Sequence, residues 1–126
     1  KHRVIPQRVA YGMTQALKTV TNEDGTAYSA RVKGYQVAGK TGTAQKWIDG
    51  KPGHYSERIH VASFIGYVPA DDPAFVLMVV VDEPVYKYRF GGVAAAPYFS
   101  RIAEKTLSYL NIRPDFPEEL DELSEQ

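Results

Sequence analysis

The 126-residue chain has no cysteine. No disulfide can hold it, and that absence suits an exported bacterial protein and a cytosolic one equally. It has no apolar run near the length of a membrane span and no secretion signal. Its three histidines, His2, His54 and His60, lack metal-ligand spacing, so neither a metal nor a cofactor is expected. The separation of His54 and His60, with a lone Asp49 nearby, suggests no catalytic triad. Net charge is zero, from 15 Lys and Arg against 15 Asp and Glu, and no basic stripe is interleaved with aromatics. Nucleic acid is therefore not an expected partner. The first residue is Lys1 rather than methionine, which suggests a cut chain.

What is present describes one globular unit. Apolar residues make up 44% and charged residues 24%, too apolar a balance for disorder. The charge is unevenly spread. All 15 basic residues lie at or before Arg113, while Pro114–Gln126 carries six acids. The natural division is a body over 1–112 and an acidic tail over 113–126. A basic body could attract anionic glycan strands or lipid head groups. The plainer reading is a solvated surface with a loose tail.

Periodicity predicts a helix over Arg8–Thr21, with Val9, Met13, Ala16, Leu17 and Val20 on one core-facing stripe. Met13 is expected to fill core there. Asn22–Gly25 stops the helix, with Gly25 expected in a left-handed turn. Gln36–Gln45 reads as a strand, Lys46–Arg58 as a polar, Gly-rich loop, and His60–Tyr67 with Phe75–Val81 as a hairpin. Pro97–Leu110 is a second helix whose inner face is Phe99, Ile102, Ala103, Leu107 and Leu110. Antiparallel strands with helices before and after give an α+β class.

The strand over Gln36–Gln45 carries the chemistry. Lys40 brings a positive charge and three donors; Thr41 and Thr43 bring hydroxyls. Gly42 lets a ligand approach the backbone. Such a set holds a carboxylate or a phosphate. Gly34-x-x-x-x-Gly39-Lys40-Thr41 satisfies the phosphate-loop pattern, and Phe75–Glu83 ends in the acids that could hold magnesium. Yet a phosphate loop must follow a buried strand and open a helix. Here Tyr35–Ala38 is strand-like, and Gly50, Pro52 and Gly53 leave no room for a helix of ordinary length. A nucleotide binder is a remote alternative.

The carboxylate reading brings a likeness with it. Lys40-Thr41-Gly42, within GKTGTAQ, resembles the K-T-G motif of class B penicillin-binding proteins, the transpeptidases that cross-link peptidoglycan. Phe64–Pro69 (FIGYVP) is similar to that family's next strand and its exit. Gly91–Phe99 (GGVAAAPYF) is similar to the approach to its last helix. The resemblance covers about residues 8–112. It departs from the family in one respect: no serine here has Lys three places on or Asn two places on, so S-x-x-K and S-x-N are missing. Tyr109-Leu110-Asn111 matches a Y-x-N variant but lies after K-T-G, and it reads better as a helix end.

The resemblance implies the C-terminal part of a transpeptidase domain, supplying the last three strands of a five-stranded sheet with helices on both faces. It implies that Lys40, Thr41, Gly42 and Thr43 bind substrate, with Lys40 and Thr43 catalytic. Thr43 N–H would share an oxyanion hole with a serine on a missing segment. Strand alternation puts Thr41 and Thr43 on one face, with Lys40 on the other or at the cleft margin. Implied partners are the N-terminal part of the same protein, peptidoglycan stem peptides, β-lactam antibiotics and other cell-wall assembly proteins. An inner-membrane anchor with a periplasmic body is also implied. Without its nucleophile this chain would be inactive alone, and an apolar face would stand open. A β-lactam sensor, a β-lactamase-like relative and a nonenzymatic interaction module are the alternatives. Trp47, Tyr55, Tyr86, Tyr88 and Phe90 are expected in loops, where they wall a substrate or cover the loops' own small cores. Gly91-Gly92 is expected to serve tight packing.

Overall fold

The computed structural model describes residues 2–48 and 53–121; Asp49 and the last acids of the tail fall outside them. The chain order is α1 (Gln7–Lys18), β1 (Ala38–Trp47), β2 (Tyr55–Val68), β3 (Phe75–Asp82), α2 (Gly91–Ala94), α3 (Ala96–Tyr109) and α4 (Glu118–Asp121). Short 3-10 turns lie at Thr19–Thr21, Tyr28–Ala30 and Tyr86–Tyr88. The strands form one antiparallel sheet in the order β1-β2-β3.

The register assigns every side chain to a face. Thr41 opposes Phe64, which opposes Val79; Lys40 opposes Ile65, which opposes Met78. The first set faces α3. There Phe64, Phe99, Leu107, Val37 and Val68 are fully buried, with Phe75, Leu77, Val79 and Val81 packed against them. The Phe64 and Phe99 rings meet edge to face at 4.8 Å. They fit because two glycines leave room: a Cβ on Gly39 would lie 2.4 Å from Phe64, and one on Gly66 would lie 3.0 Å from Phe99.

The other face stands open. Ile65, Val76, Met78 and Val80 are all between 44% and 65% exposed. The helix α1 touches this side at one end, where Thr14 Oγ1 and Tyr67 Oη share a hydrogen bond of 2.9 Å. Its expected stripe divides: Leu17 and Val20 are half-buried, whereas Ala16, Val9 and Met13 are exposed, Met13 by 53%. Met13 therefore fills no core within this chain.

Other expectations are corrected by packing. The helix ends at Lys18, and Thr19–Thr21 tightens to a 3-10 turn, with Thr21 Oγ1 donating to Val37 O at 3.1 Å. The strand β1 starts at Ala38 rather than Gln36 and runs on through Trp47, while β2 starts at Tyr55. Both ends of the expected loop over Lys46–Arg58 are thus hairpin arm, and Trp47 and Tyr55 are paired strand residues whose rings meet edge to face at 5.7 Å. The left-handed glycines among the described residues are Gly34 and Gly53, not Gly25. Gly25 instead sits where a Cβ would lie 2.2 Å from Val20 O. In α3, Phe99, Ala103 and Leu107 are buried, but Ile102 is 45% exposed, and Leu110, just past its end, is 47% exposed.

The C-terminal end of α3 closes with Ile112 N–H donating to Leu107 O and Asn111 N–H to Ser108 O, Asn111 standing at φ 51°. That is a left-handed helix cap, a role asparagine tolerates. The tail is not loose over the described residues. Asp115 accepts from Gln36 N–H at 2.9 Å and Glu119 from Gly34 N–H at 3.0 Å. Phe116 N–H donates to Gly34 O at 3.0 Å, and Leu120 lies over Gly34. Asp115 and Glu119 thus satisfy backbone donors just upstream of β1.

Candidate substrate-binding edge

The strand β1 lies at the edge of the described sheet, with β2 on its other side. Antiparallel pairing sends the backbone groups of alternate residues to the same side. Lys40 starts on the open face, yet its Nζ curls back to the strand edge and donates to Thr41 O at 2.9 Å, with Thr41 Oγ1 at 3.4 Å. The carbonyl of Thr41 is thereby presented on the free edge, and the backbone of Thr43, two residues on, faces the same way. The edge thus gathers an ammonium, two threonine side chains and an outward-facing N–H.

The neighbouring turn fixes the second hydroxyl. Gly91 N–H donates to Thr43 Oγ1 at 3.3 Å. With its oxygen engaged as acceptor, the Thr43 hydroxyl keeps its proton for an outside partner. Gly91 lies directly on the sheet: a Cβ there would meet Ser63 O at 2.1 Å and Gly42 O at 2.7 Å. A Cβ on Gly92 would meet Thr26 O at 2.0 Å. Both glycines serve close approach, as their placement before a helix suggested. Gly42 has an internal reason as well, since a Cβ there would lie 2.5 Å from Ser63 Oγ.

The phosphate-loop alternative fails on this geometry. Gly39, Lys40 and Thr41 lie inside β1, and the next element is another strand, not a helix. Asp82 and Glu83 are engaged otherwise: Lys46 Nζ binds Asp82 at 2.8 Å and Glu83 at 2.7 Å. Those two hydrogen bonds, Asp82 first, raise the Lys46 pKa above its ordinary value. The Tyr35 pKa is raised too, first by burial and then by the charge of Asp115, while its hydroxyl donates to Ile112 O at 2.6 Å.

The histidines do not join the edge. His54 is exposed near the hairpin tip, and His60 is buried, with Nδ1 lacking a hydrogen-bond partner. The His60 ring instead packs 5.9 Å from the Tyr86 ring. No group of acids and histidines among the described residues could hold a metal ion.

A K-T-G strand at the edge of an antiparallel sheet, backed by a helix such as α3, is the arrangement shared by the fold of penicillin-binding proteins and serine β-lactamases. Residues 1–104 match the family described as penicillin binding protein transpeptidase domain, and the chain belongs to that family. It is 46% identical over 114 residues to Stage V sporulation protein D of Bacillus subtilis, covering 90% of this chain and 17% of that protein. It is 36% identical over 115 residues to the probable peptidoglycan D,D-transpeptidase PenA of Neisseria gonorrhoeae, covering 91% of this chain and 19% of the relative. The chain thus spans less than a fifth of the length of these curated relatives. Among solved structures it is similar to the apo transpeptidase domain of Burkholderia pseudomallei penicillin-binding protein 3, with TM-score 0.72 and 39% identity over 82% of this chain and 30% of that one. It is also similar to penicillin-binding protein 3 of Mycobacterium tuberculosis complexed with ampicillin, with TM-score 0.76 and 33% identity over 89% of this chain and 26% of that one.

Proposed function

We propose that this chain supplies the carboxylate-binding edge of a peptidoglycan DD-transpeptidase, with the nucleophile delivered by another segment of the same protein. The observation that carries this reading is the Lys40 ammonium folded onto the free edge of β1, beside Thr41 and one residue pair from the oriented Thr43 hydroxyl. Lys40 and Thr41 hold the terminal carboxylate of a D-Ala-D-Ala stem peptide. Gly42 keeps the strand flush with Ser63. Thr43 N–H receives the charge that develops on the scissile carbonyl oxygen, where one such donor is worth about 3 kcal/mol of barrier.

The reaction runs in two covalent steps. A serine oxygen bonds to the carbonyl carbon of the penultimate D-Ala, and the terminal D-Ala leaves as an amine that takes a proton. An acceptor amine then attacks the acyl ester, forming the cross-link and returning the serine. A β-lactam presents the same carboxylate and carbonyl, but its ring-opened product stays attached.

The segment bearing S-x-x-K and S-x-N is the proposed occupant of the open sheet face. Ile65, Val76, Met78 and Val80 form an apolar surface of the sort that marks a protein contact. An anchor in the inner membrane, a periplasmic body and contacts to other cell-wall assembly proteins complete the proposal. No helix among the described residues is long and apolar enough to cross a membrane. Relatives named D,D-transpeptidases support transfer to an amine over the sensor, β-lactamase and interaction-module alternatives.

The test is acylation of the complete protein by a fluorescent penicillin, read on a denaturing gel. Lys40→Ala and Thr43→Val are each expected to slow labelling at least tenfold. Wild-type rates in both variants would remove these residues from the site.

A further inference from the structure

The turn between β3 and α2 holds a cation that the site described so far does not use. The Arg89 guanidinium lies 4.2 Å from the centroid of the Tyr86 ring and 4.4 Å from that of Phe90. Its Nη1 donates to Tyr86 O at 3.1 Å. The ion pairs among the described residues join Lys18 to Asp71 and Lys46 to Asp82 and Glu83, and none involves Arg89. A guanidinium clamped by two rings and one carbonyl has its rotamer fixed in advance, and most of its donor fork is left for an outside acceptor.

Its position follows from the register. Tyr86 packs on His60, and His60 opposes Gln45 of β1. Gly91, two residues beyond Arg89, donates to Thr43. The clamp therefore sits on the threonine face of β1, alongside Gln45. Gln45 is two residues past Thr43, or about 7 Å along a strand.

The direction of the donor peptide is fixed by the proposed function, on which this inference rests. A terminal carboxylate at Lys40 and Thr41, with the scissile carbonyl at Thr43, makes the peptide run antiparallel to β1. The residue preceding D-Ala-D-Ala then falls beside Gln45, within reach of the clamp. We propose that Arg89 is a specificity-determining residue that binds a carboxylate on the donor residue preceding D-Ala-D-Ala, so that the enzyme favours donors bearing a second acid there. A residue with a second carboxylate fits there; one without it leaves Arg89 unpaired.

Two penicillins that differ by one group test this. One carries a phenylacetyl side chain and the other a phenylmalonyl side chain, which adds one carboxylate where the preceding donor residue would lie. Second-order acylation rates are measured for the complete wild-type protein, Arg89→Leu and Arg89→Lys, at low and high salt. Arg89→Leu is expected to slow the phenylmalonyl compound at least fivefold and to leave the phenylacetyl compound within twofold. Arg89→Lys keeps the charge without the fork and is expected to fall between. High salt is expected to shrink the wild-type preference. An unchanged ratio of the two rates in Arg89→Leu would overturn the assignment, as would a parallel fall of both compounds in both variants. Failure of both penicillins to acylate the wild-type protein would overturn the transpeptidase reading, and this inference with it.

Discussion

At the scale of single residues, the edge depends on small groups as much as on charged ones. Lys40 reaches the edge only because its chain can turn back over Thr41. Thr43 is oriented by the N–H of Gly91, which sits there only because it lacks a side chain. Gly91→Ala is expected to push the turn off the sheet, break that hydrogen bond and cost about 1–3 kcal/mol of stability. Penicillin acylation should fall along with it, measured on the complete protein beside a denaturant melt. Unchanged stability and acylation would mean that the turn does not press on Ser63 and Gly42 as described. The residue types were legible in the sequence, and so was the tight role of Gly91-Gly92. The partner of Thr43 was not, because a hydrogen bond across 48 positions leaves no local signature.

At the scale of elements, what the sequence showed depends on which forces shape each piece. The strands β2 and β3 were legible where apolar residues run through them. The arms of the first hairpin were not, since Lys46, Glu57 and Arg58 lie beyond the core and carry no apolar alternation. Backbone pairing extends the strands there, with Lys46 bridged to Asp82 and Glu83 and with Trp47 and Tyr55 clasping the end. The contacts of the tail's described residues are hidden from the sequence for a different reason. Counting acids reports charge, whereas Asp115 and Glu119 act as acceptors for the backbone at Gln36 and Gly34.

Two predictions belong to this scale. Phe99→Ala removes the ring that meets Phe64 between the sheet and α3. It should cost about 3–5 kcal/mol in a urea melt, and a loss within about 1 kcal/mol would show a core far looser than described. Tyr35, three residues before β1, ties down the segment that follows α3 through its neutral phenol. Its raised folded-state pKa means that this contribution is whole below about pH 10, the ordinary tyrosine value, and is lost as pH rises through the folded value. Tyr35→Phe should therefore cost about 1 kcal/mol near neutrality and flatten the fall in stability above about pH 10. An identical alkaline fall in the variant would assign the effect to other groups.

At the scale of the molecule, the sheet has one face finished and one face open. Phe64, Phe99 and Leu107 close the first with α3. The second keeps Val76, Met78 and Val80 more than half exposed, and α1 turns Val9 and Met13 to solvent as well. The apolar stripe on α1 was legible, but a stripe says only that a face is to be covered, not which partner covers it. The proposed partner brings the serine that this chain's own motifs lack.

The most direct test locates the acyl group. The complete protein is acylated with penicillin, digested, and the modified peptide identified by mass, alongside a Lys40→Ala variant. The predicted result is a penicilloyl group on a serine outside residues 1–126, followed three places later by lysine, formed at least tenfold more slowly in the variant. A penicilloyl group on a serine of this chain, or an undiminished rate in Lys40→Ala, would contradict the account.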